Sequence, residues 1–267
     1  MAAGRTALIT GASSGIGLDL ASVFAADRWD VILVARSEAK LRETAEGLER
    51  RFGIEARALR ADLSDPGAPR AIASWLRDHG ARVEALVNNA GFGVYGPFAK
   101  TDIEAELNMI QVNVTALVHL TKRLLGGMLE RGRGRILNVA STAAFQPGPL
   151  MAVYYATKSF VLSFSEALAC ELEGSGVAVT ALCPGPTQTG FQTGADMQAS
   201  RLVRGPLMMD SLSVARAGYE GLMRGKTLVI PGLTNRLMAG VVPFMPRRTV
   251  TRFVRRAMSP AAPRGPS

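Results

Sequence analysis

Short apolar segments alternate with helical segments along most of this chain, and this alternation restricts the possible folds more than any other feature. Several apolar segments are continuous, which predicts strands buried on both faces, as in a parallel sheet covered by helices on each side. Right-handed crossovers between such strands predict a doubly wound α/β fold that binds ligands at the carboxyl ends of its strands. The predicted strands lie at residues 6–10, 30–36, 55–63, 83–89, 134–141, 177–183 and 227–231.

Helical patterns fill the intervals between these strands, and no linker, repeat or low-complexity segment divides them. A single domain over residues 1–232 is therefore predicted, followed by an amphipathic helical extension at 233–258 and a disordered tail at 259–267. The predicted helices lie at residues 15–26, 38–52, 66–78, 103–130, 151–173 and 213–223.

The composition argues against several classes of function. With 48% hydrophobic and 20% charged residues, the chain is globular rather than disordered. The net charge of +9 comes from basic residues spread along the chain without a zinc-finger or RNA-binding signature, so nucleic acid is not an expected partner. Cys170 and Cys183 are isolated, so neither a disulfide nor a metal site is expected. This cysteine usage, with no signal peptide and no spanning segment, predicts a cytoplasmic protein.

The loop after the first predicted strand contains Gly11, Gly15 and Gly17. Small residues between a strand and a helix let a diphosphate approach backbone N–H groups and the positive end of the helix. The spacing, T-G-x-x-x-G-x-G, differs from the G-x-G-x-x-G dinucleotide-binding pattern. Taken alone, the loop is either a phosphate site or an ordinary tight turn.

The segment YYATK places Tyr154 and Tyr155 on a predicted helix in front of Lys158. Residues three or four apart on a helix share a face, so either tyrosine could lie beside the lysine. Spacing within the segment does not choose between them. The alternative to a catalytic pair is an amphipathic helix with packed tyrosines and a solvated lysine.

Taken in order, the motifs of this chain resemble those of the single-domain short-chain dehydrogenase/reductase family. The resemblance covers residues 4–232 and rests on TGASSGIG, NNAG, Asn113, Ser141, Tyr154, Lys158 and the PG at 184–185. It implies a Rossmann-like fold and hydride transfer between NAD(P) and a carbonyl or alcohol, without a metal. It also implies a homodimer or homotetramer formed through the helices at 103–130 and 151–173. The alternative is a nucleotide-binding regulator or scaffold with this fold and little turnover.

The separations typical of the family select one of the two tyrosines. In the family, the catalytic tyrosine lies thirteen residues after the serine and four before the lysine, which Ser141, Tyr154 and Lys158 satisfy. Pairing Thr142 with Tyr155 leaves the lysine only three residues away. Tyr155 is therefore expected to pack on the adjoining helix face, with a partner subunit as a candidate neighbour.

The resemblance also gives the catalytic residues their roles. Tyr154 exchanges a proton with the substrate oxygen, Ser141 donates a hydrogen bond to that oxygen, and Lys158 holds the nicotinamide ribose. The ammonium of Lys158 and the cationic nicotinamide are expected to lower the pKa of Tyr154. Asn113 is expected to fix a water that links Lys158 to solvent, and the alternative for Asn113 is a side chain bonded to strand backbone.

A further set of residues is assigned to the cofactor by the same resemblance. Asp62 would contact the adenine amino group beside Leu63, and Thr187 and Thr189 would bind the carboxamide edge, with turn or cap roles as the alternative for these threonines. The expected cofactor-binding residues are Gly11, Ser13, Ser14, Gly15, Ile16, Gly17, Arg36, Asp62, Leu63, Asn89, Ala90, Gly91, Tyr154, Lys158, Pro184, Gly185, Thr187 and Thr189.

The segment after the second strand favours NADP(H) over NAD(H). Ala35 stands where NAD-dependent members often have an aspartate for the ribose hydroxyls, and Arg36 follows it. A guanidinium can bind a 2′-phosphate with two hydrogen bonds, and the missing carboxylate removes a repulsion. The alternative is that Arg36 is a solvated charge at the end of a strand.

The substrate is predicted to be an apolar carbonyl or alcohol. The candidate walls are Phe92, Gly93, Tyr95, Phe145, Gln146 and a lid at 191–209 rich in Phe, Leu and Met. Arg201 and Arg204 in this lid leave an acidic substrate as the alternative. For the extension at 233–258, a helix on an anionic lipid surface competes with a helical pair that packs over the substrate pocket or at a subunit contact.

Overall fold

The structure, a computed structural model, describes residues 5–191, 195 and 208–259, and its main feature is the predicted parallel sheet. Seven strands are hydrogen-bonded in the order β3-β2-β1-β4-β5-β6-β9, and every pair is parallel. The order confirms the doubly wound α/β fold. These strands are β1 (Thr6–Thr10), β2 (Asp30–Ala35), β3 (Ala56–Arg60), β4 (Val83–Asn88), β5 (Gly134–Val139), β6 (Val177–Leu182) and β9 (Leu228–Val229), and β7 (Thr187–Gln188) pairs separately with β8 (Met209–Asp210).

Helices connect the strands close to the predicted positions. The predicted helix at 103–130 is interrupted by a π-helical turn at Gln111–Thr115, which places Asn113 in irregular backbone. The helices are α1 (Gly15–Ala26), α2 (Glu38–Phe52), α3 (Ala68–Asp78), α4 (Ile103–Ile110), α5 (Ala116–Glu130), α6 (Ala152–Glu171), α7 (Ser211–Met223), α8 (Leu233–Val241) and α9 (Arg247–Met258).

The core consists of two apolar layers, one on each face of the sheet. Successive residues of a strand point to opposite faces, so Ile9 packs with α1, α2 and α7 whereas its neighbour Leu8 packs with α3, α5 and α6. Phe24 is fully buried in the first layer, and Ile72 is almost fully buried in the second. Burial on both faces is the reason that these strands are continuously apolar.

The sheet order places a crevice above β1. This strand pairs with β2 on one side and with β4 on the other, so the loops after β1 and β4 diverge to opposite faces. Such a switch point is where doubly wound proteins bind ligands. The loops after β5 and β6 extend the same edge.

The extension after residue 232 forms α8 and α9, joined by a 3-10 turn at Val242–Phe244. On α9, Val250, Val254 and Met258 are buried and pack with Tyr155 in one apolar cluster. The apolar face of α9 is therefore covered by the chain itself and is not presented to lipid. The described part of this extension ends at Ser259, and the rest of the predicted tail lies outside the described residues.

Tyr155 corrects one expectation. It is 6% exposed and lies inside the protein, where its hydroxyl contacts the Met258 sulfur at 3.7 Å. It is therefore not available to a partner subunit. The neighbour of Tyr155 is Met258 of the C-terminal extension, and the spacing within YYATK could not predict this contact.

Across the residues that the structure describes, no helix has the length and apolarity required to cross a bilayer.

Candidate active site

A cavity of about 640 Å³ opens at the carboxyl edge of the sheet and brings most of the predicted site residues together. Gly17 and Asn113 do not line it, and both support its walls from behind. The predicted residues that line it are Gly11, Ser13, Ser14, Gly15, Ile16, Arg36, Asp62, Leu63, Asn89, Ala90, Gly91, Ser141, Tyr154, Lys158, Pro184, Gly185, Thr187 and Thr189.

The glycine loop approaches the cavity with its backbone. Gly11 has φ +66°, a left-handed conformation that favours glycine, and a Cβ on Gly17 would overlap the Gly11 carbonyl oxygen. Ser14 begins α1 without a side-chain hydrogen bond to the helix, so the first N–H groups of α1 lack a side-chain cap. This combination of close backbone and an uncapped helix start suits a diphosphate.

Thr10 joins the loops after β1 and β4. Its hydroxyl oxygen accepts hydrogen bonds from the backbone N–H groups of Asn89 and Ala90, both at 3.0 Å. The Asn89 side chain donates in return to the Thr10 carbonyl oxygen at 2.9 Å. The two halves of the crevice are thus locked to each other. Sequence reasoning treated Thr10 only as the first letter of a motif and missed this role.

Two cations line one end of the cavity. Arg36 follows β2, and Lys40 lies in the first turn of α2. Lys40 was missed because it falls inside a predicted helix. In the structure this helix, α2, starts beside the end of β2, and its first turn brings Lys40 to the same cavity. Asp62 faces this end and accepts a hydrogen bond from the Ser64 N–H at 3.0 Å. Although partial burial opposes it, hydrogen bonding from Ser64 and the charges of Arg36 and Arg60 hold the pKa of Asp62 below its usual value.

Ser141 lies where β5 ends, between the cavity and the β6 loop. Its hydroxyl oxygen accepts a hydrogen bond from the Ala143 N–H at 3.1 Å and donates to the Pro184 carbonyl oxygen at 3.4 Å. These contacts hold the hydroxyl at the start of the 3-10 turn Thr142–Phe145. The side chain is also close enough to Tyr154 to lower the pKa of that phenol by hydrogen bonding.

Tyr154 and Lys158 lie one turn apart on α6 and both reach the cavity. Burial raises the pKa of Tyr154 above its usual value, against the opposite effect of Ser141. The Lys158 amino group donates to the Val139 carbonyl oxygen at 2.9 Å and lies 5.8 Å from the centre of the Tyr154 ring. Burial lowers the pKa of Lys158 to about 8.

These directions correct the expected lowering of the pKa of Tyr154. The chain by itself removes water from the phenol, which disfavours phenolate. The Lys158 amino group donates to the Val139 carbonyl oxygen and lies beside the ring face of Tyr154. The protein alone therefore favours the protonated form of Tyr154.

Asn113 is 1% exposed and belongs to the π-helical turn after α4. Its side chain accepts from the Phe92 N–H at 3.1 Å and donates to the Phe92 carbonyl oxygen at 2.9 Å, and it also donates to Thr157 at 3.1 Å. The turn thus fastens the loop after β4 to α6, the helix that carries Tyr154 and Lys158. Two of these hydrogen bonds are to the backbone of Phe92, which is close to the alternative considered for Asn113, a side chain bonded to strand backbone.

The other end of the cavity is apolar. Phe92, Phe145, Gln146 and Phe191 line it as predicted, together with Met151. Gly93 and Tyr95 stand behind this wall. A Cβ on Gly93 would collide with Met151 and Phe191, and the Tyr95 hydroxyl donates to the Met258 carbonyl oxygen at 2.6 Å.

The extension completes this apolar end, which sequence reasoning offered only as one of two alternatives. Met238, Ala239 and Val242 from α8 and the following turn, and Met258 from α9, line the cavity. In the predicted lid, residues 192–194 and 196–207 lie outside the described residues, and Arg201 and Arg204 fall among them.

Asn235 on α8 connects the extension to the loop after β6. It is 8% exposed, and its amide donates to the Pro231 carbonyl oxygen at 2.9 Å. A Cβ on Gly185 would overlap the same amide. Nothing in the sequence marked Asn235, because no motif reaches beyond the strand at 227–231.

Within the part of the chain that the structure describes, no group of three or more His, Cys, Asp and Glu side chains is placed to hold a metal ion.

Comparison with known proteins identifies the family of this arrangement. The sequence model of the family described as short chain dehydrogenase matches residues 5–199. The chain is 32% identical to the ketoacyl reductase HetN of Nostoc sp. over 85% of this chain and 78% of that protein. It is 39% identical to sulfoacetaldehyde reductase 2 of Chromohalobacter salexigens over 72% of this chain and 78% of that protein.

Solved structures agree with this result. A short-chain dehydrogenase from Sphingobium yanoikuyae in complex with NADPH superposes with a TM-score of 0.80 at 34% identity, covering 91% of this chain and 97% of the other. A short-chain dehydrogenase/reductase from Burkholderia phymatum in complex with NAD gives a TM-score of 0.80 at 27% identity, covering 90% and 95%.

Proposed function

The chain belongs to the short-chain dehydrogenase/reductase family of oxidoreductases, and we propose that it transfers hydride between NADP(H) and the carbonyl or secondary alcohol of an apolar substrate. The observation that carries this proposal is the convergence of Ser141, Tyr154 and Lys158 on one cavity with the glycine loop. The cavity is thus lined by the Ser141 hydroxyl, the Tyr154 phenol and the Lys158 amine, next to a glycine loop whose backbone suits a diphosphate.

The residues present fit a nicotinamide dinucleotide. The cavity volume of about 640 Å³ lies in the range of small-molecule sites. The glycine loop and the start of α1 would hold the diphosphate, Asp62 and Leu63 the adenine, and Pro184, Gly185, Thr187 and Thr189 the nicotinamide end. When bound, the nicotinamide supplies or accepts the hydride.

Tyr154 would serve as the proton donor to the carbonyl oxygen during reduction. The phenol is protonated near neutral pH, which is the form that a donor needs, and positive charge from Lys158 and the bound nicotinamide would oppose the rise in its pKa that burial causes. Ser141 would donate a second hydrogen bond to the same oxygen and stabilise its developing negative charge. This bond would replace the long one that the hydroxyl makes to Pro184.

Lys158 would position the ribose and favour the phenolate that remains after proton transfer. A pKa of about 8 leaves the amine largely charged at neutral pH, so a cation would lie beside the Tyr154 ring. Asn113 would act through its neighbours by fixing Phe92 and α6. The predicted water between Lys158 and solvent belongs to this proposal.

The preference for NADP(H) is supported by Arg36 and Lys40 together. Both line the adenosine end of the cavity, and Ala35 beside them offers no carboxylate for ribose hydroxyls. Two cations are suited to a 2′-phosphate, which carries a charge that a ribose hydroxyl lacks.

The apolar substrate is supported by the wall around Tyr154. Phe92, Phe145, Met151, Phe191 and Met238 line the cavity there. The names of the two relatives point to a ketoacyl group and to an anionic aldehyde. Because the described wall at this end contains no cation other than Lys158, we favour a substrate of the first kind.

A homodimer or homotetramer is also part of this proposal. On α4, Ile103 and Leu107 are 56% and 53% exposed, and Phe160 on α6 is 43% exposed. Apolar side chains on these helices are suited to a contact with a second copy. Light scattering of the purified protein at several concentrations would measure the oligomeric state, and a monomer throughout would contradict it.

The test of the reaction uses the two tyrosines as a matched pair. NADPH consumption is followed with 3-oxoacyl thioesters, bulky ketones, aliphatic aldehydes and sulfoacetaldehyde as oxidants. Tyr154→Phe should lower kcat about 10²- to 10⁴-fold with little change in the Kd for NADPH. Tyr155→Phe should keep turnover within about threefold, because the partner of its hydroxyl among the described residues is Met258, away from the reacting atoms.

Two outcomes would change the account. If Tyr154→Phe keeps most of the turnover, Tyr154 is not the proton donor. If the wild type binds NADPH but reduces none of these carbonyls, the regulator or scaffold becomes the better explanation.

A further inference from the structure

The outer face of α8 is apolar and exposed. Leu233, Leu237 and Val241 follow one another at intervals of four residues and are 70%, 61% and 53% exposed. Phe244, three residues further, is 89% exposed. Residues four apart share a helix face, so Leu233, Leu237 and Val241 form one strip on α8, and Phe244 follows it in the 3-10 turn at Val242–Phe244; we name these four side chains the α8 stripe.

The opposite face of α8 packs against the protein and lines the cavity. Asn235 and Ala239 are buried there, and Ala239 and Val242 line the cavity. A surface helix of a globular protein ordinarily has polar residues opposite its buried face. Single exposed apolar residues need no explanation, whereas a continuous strip of them marks an interaction surface.

The chain around the stripe is strongly basic. Residues 233–259 contain six arginines and no acidic residue. All six are exposed, and none forms a salt bridge within the described residues. They are Arg236, Arg247, Arg248, Arg252, Arg255 and Arg256. Phe253 on α9 adds another exposed aromatic side chain among them, at 62%.

We propose that the α8 stripe and the surrounding arginines dock the protein on an anionic lipid bilayer. Large apolar side chains within a basic surface are the combination that binds at the interface of such a membrane. A second copy is a poorer fit, because a two-fold contact would place this same arginine-rich surface against itself. The lipid surface would lie on α8, whereas the apolar face of α9 stays within the protein.

This docking would place the membrane close to the substrate end of the cavity. The α8 stripe and the cavity lining are on opposite sides of one helix, and a helix with its side chains is about 10 Å wide. A substrate dissolved in the bilayer would then be separated from the apolar wall by α8 alone. The docking itself does not depend on the proposed reaction.

Vesicle flotation of the full-length protein tests the docking. The probes are vesicles of phosphatidylcholine alone and vesicles with about one third phosphatidylglycerol. We expect co-flotation with the anionic vesicles and little with the neutral ones. The double variant Leu237→Ser, Phe244→Ser should lower the bound fraction at least tenfold, and it should still fold because both side chains are exposed.

The matched control is Leu129→Ser, an exposed leucine on α5, which should bind like the wild type. Arg248→Glu with Arg252→Glu should also weaken binding at least tenfold, since a basic residue near an anionic surface contributes roughly fivefold or more. Thermal unfolding of every variant verifies the fold.

Absence of co-flotation, or equal binding to neutral and anionic vesicles, would overturn the proposal. It would also be overturned if Leu237→Ser, Phe244→Ser binds vesicles normally. If that variant instead lowers the oligomeric state in lipid-free solution, the stripe is a contact between copies. Turnover with soluble carbonyls should persist in all these variants, so failure of the docking is distinguishable from failure of the proposed function.

Discussion

The two ends of the cavity are built differently. The adenosine and diphosphate end is formed by strand termini and backbone, with Gly11, Gly17, Thr10 and Asn89 interlocked by hydrogen bonds and close contacts. The substrate end is formed by side chains from distant parts of the chain, with Met258 packed on Tyr155. A backbone site tolerates almost no added atom, whereas a wall of side chains can change with the substrate. The difference predicts that the two ends respond separately to substitution.

Gly17→Ala should have the largest effect and should act on the cofactor end. The new Cβ would overlap the Gly11 carbonyl oxygen and the Asn89 amide, so the loop must move. We expect NADPH binding to weaken at least 100-fold by calorimetry. Gly47→Ala on α2, where a Cβ meets no atom within 4 Å, should keep the affinity and gain about 0.5–1 kcal/mol in helix stability. Equal affinity for wild type and Gly17→Ala would show that the loop is only a turn.

Met258→Ala should act on the substrate end. The side chain is 1% exposed, and its loss leaves a cavity against Tyr155, so the free energy of unfolding should fall by about 2–3 kcal/mol. The KM for the carbonyl should rise while the Kd for NADPH stays within about twofold. Met245→Ala, at an exposed methionine of the same extension, is the control for both readouts. A large loss of NADPH affinity in Met258→Ala would mean that the ends are not separate.

Asn235→Ala should show an intermediate pattern, because Asn235 touches both the extension and Gly185. Removing the amide leaves the buried Pro231 carbonyl oxygen without its donor, at about 1–2 kcal/mol of unfolding free energy. We expect modest increases in both the Kd for NADPH and the KM for the carbonyl. Thr234→Ala, at the exposed neighbour, should change neither. An effect of Asn235→Ala on one constant alone would assign the residue to that end.

Lys158 provides the smallest effect and tests the burial that separates the site from water. Burial holds the pKa of Lys158 at about 8 in the folded chain, below the usual 10.5 of a lysine, so between these pH values the unfolded chain binds more protons. Stability conferred by this residue is therefore lost as the pH falls towards 8. Relative to Lys158→Met, the wild type without cofactor should gain about 1 kcal/mol in unfolding free energy between pH 7 and 9. A constant difference across this range would mean that Lys158 titrates as if it were solvated.

The sequence predicted most of the fold, and the structure brings most of the residues assigned to the cofactor into one cavity. Continuous apolar strands favour a parallel sheet covered on both faces, and the motif positions fall at strand ends, so Gly11, Ser141 and Pro184 could be placed from the sequence. Boundaries were less accurate, as in β3, which ends at Arg60 instead of residue 63.

The substrate end was predicted less well, for a physical reason. The choice between Tyr154 and Tyr155 needed separations between motifs, but the partner of Tyr155 depends on how the chain after residue 232 folds back. A segment of apolar and basic residues has the same sequence pattern whether its apolar face packs against lipid or against protein. The structure resolves this only through tertiary packing, which assigns the α9 face to the protein and leaves the α8 face exposed. Asn235 was missed for the same reason, since it reaches the cavity from beyond the last motif.

Calorimetric titration of the purified protein with NADPH and with NADH under identical conditions tests the proposed cofactor site most directly. We expect NADPH to bind at least tenfold more tightly, and Arg36→Ala with Lys40→Ala to remove the difference without abolishing NADH binding, because charge-assisted bonds to the 2′-phosphate are then lost. Equal or tighter binding of NADH would contradict the assignment of this end of the cavity, and failure of both nucleotides to bind would contradict the account of the site as a whole.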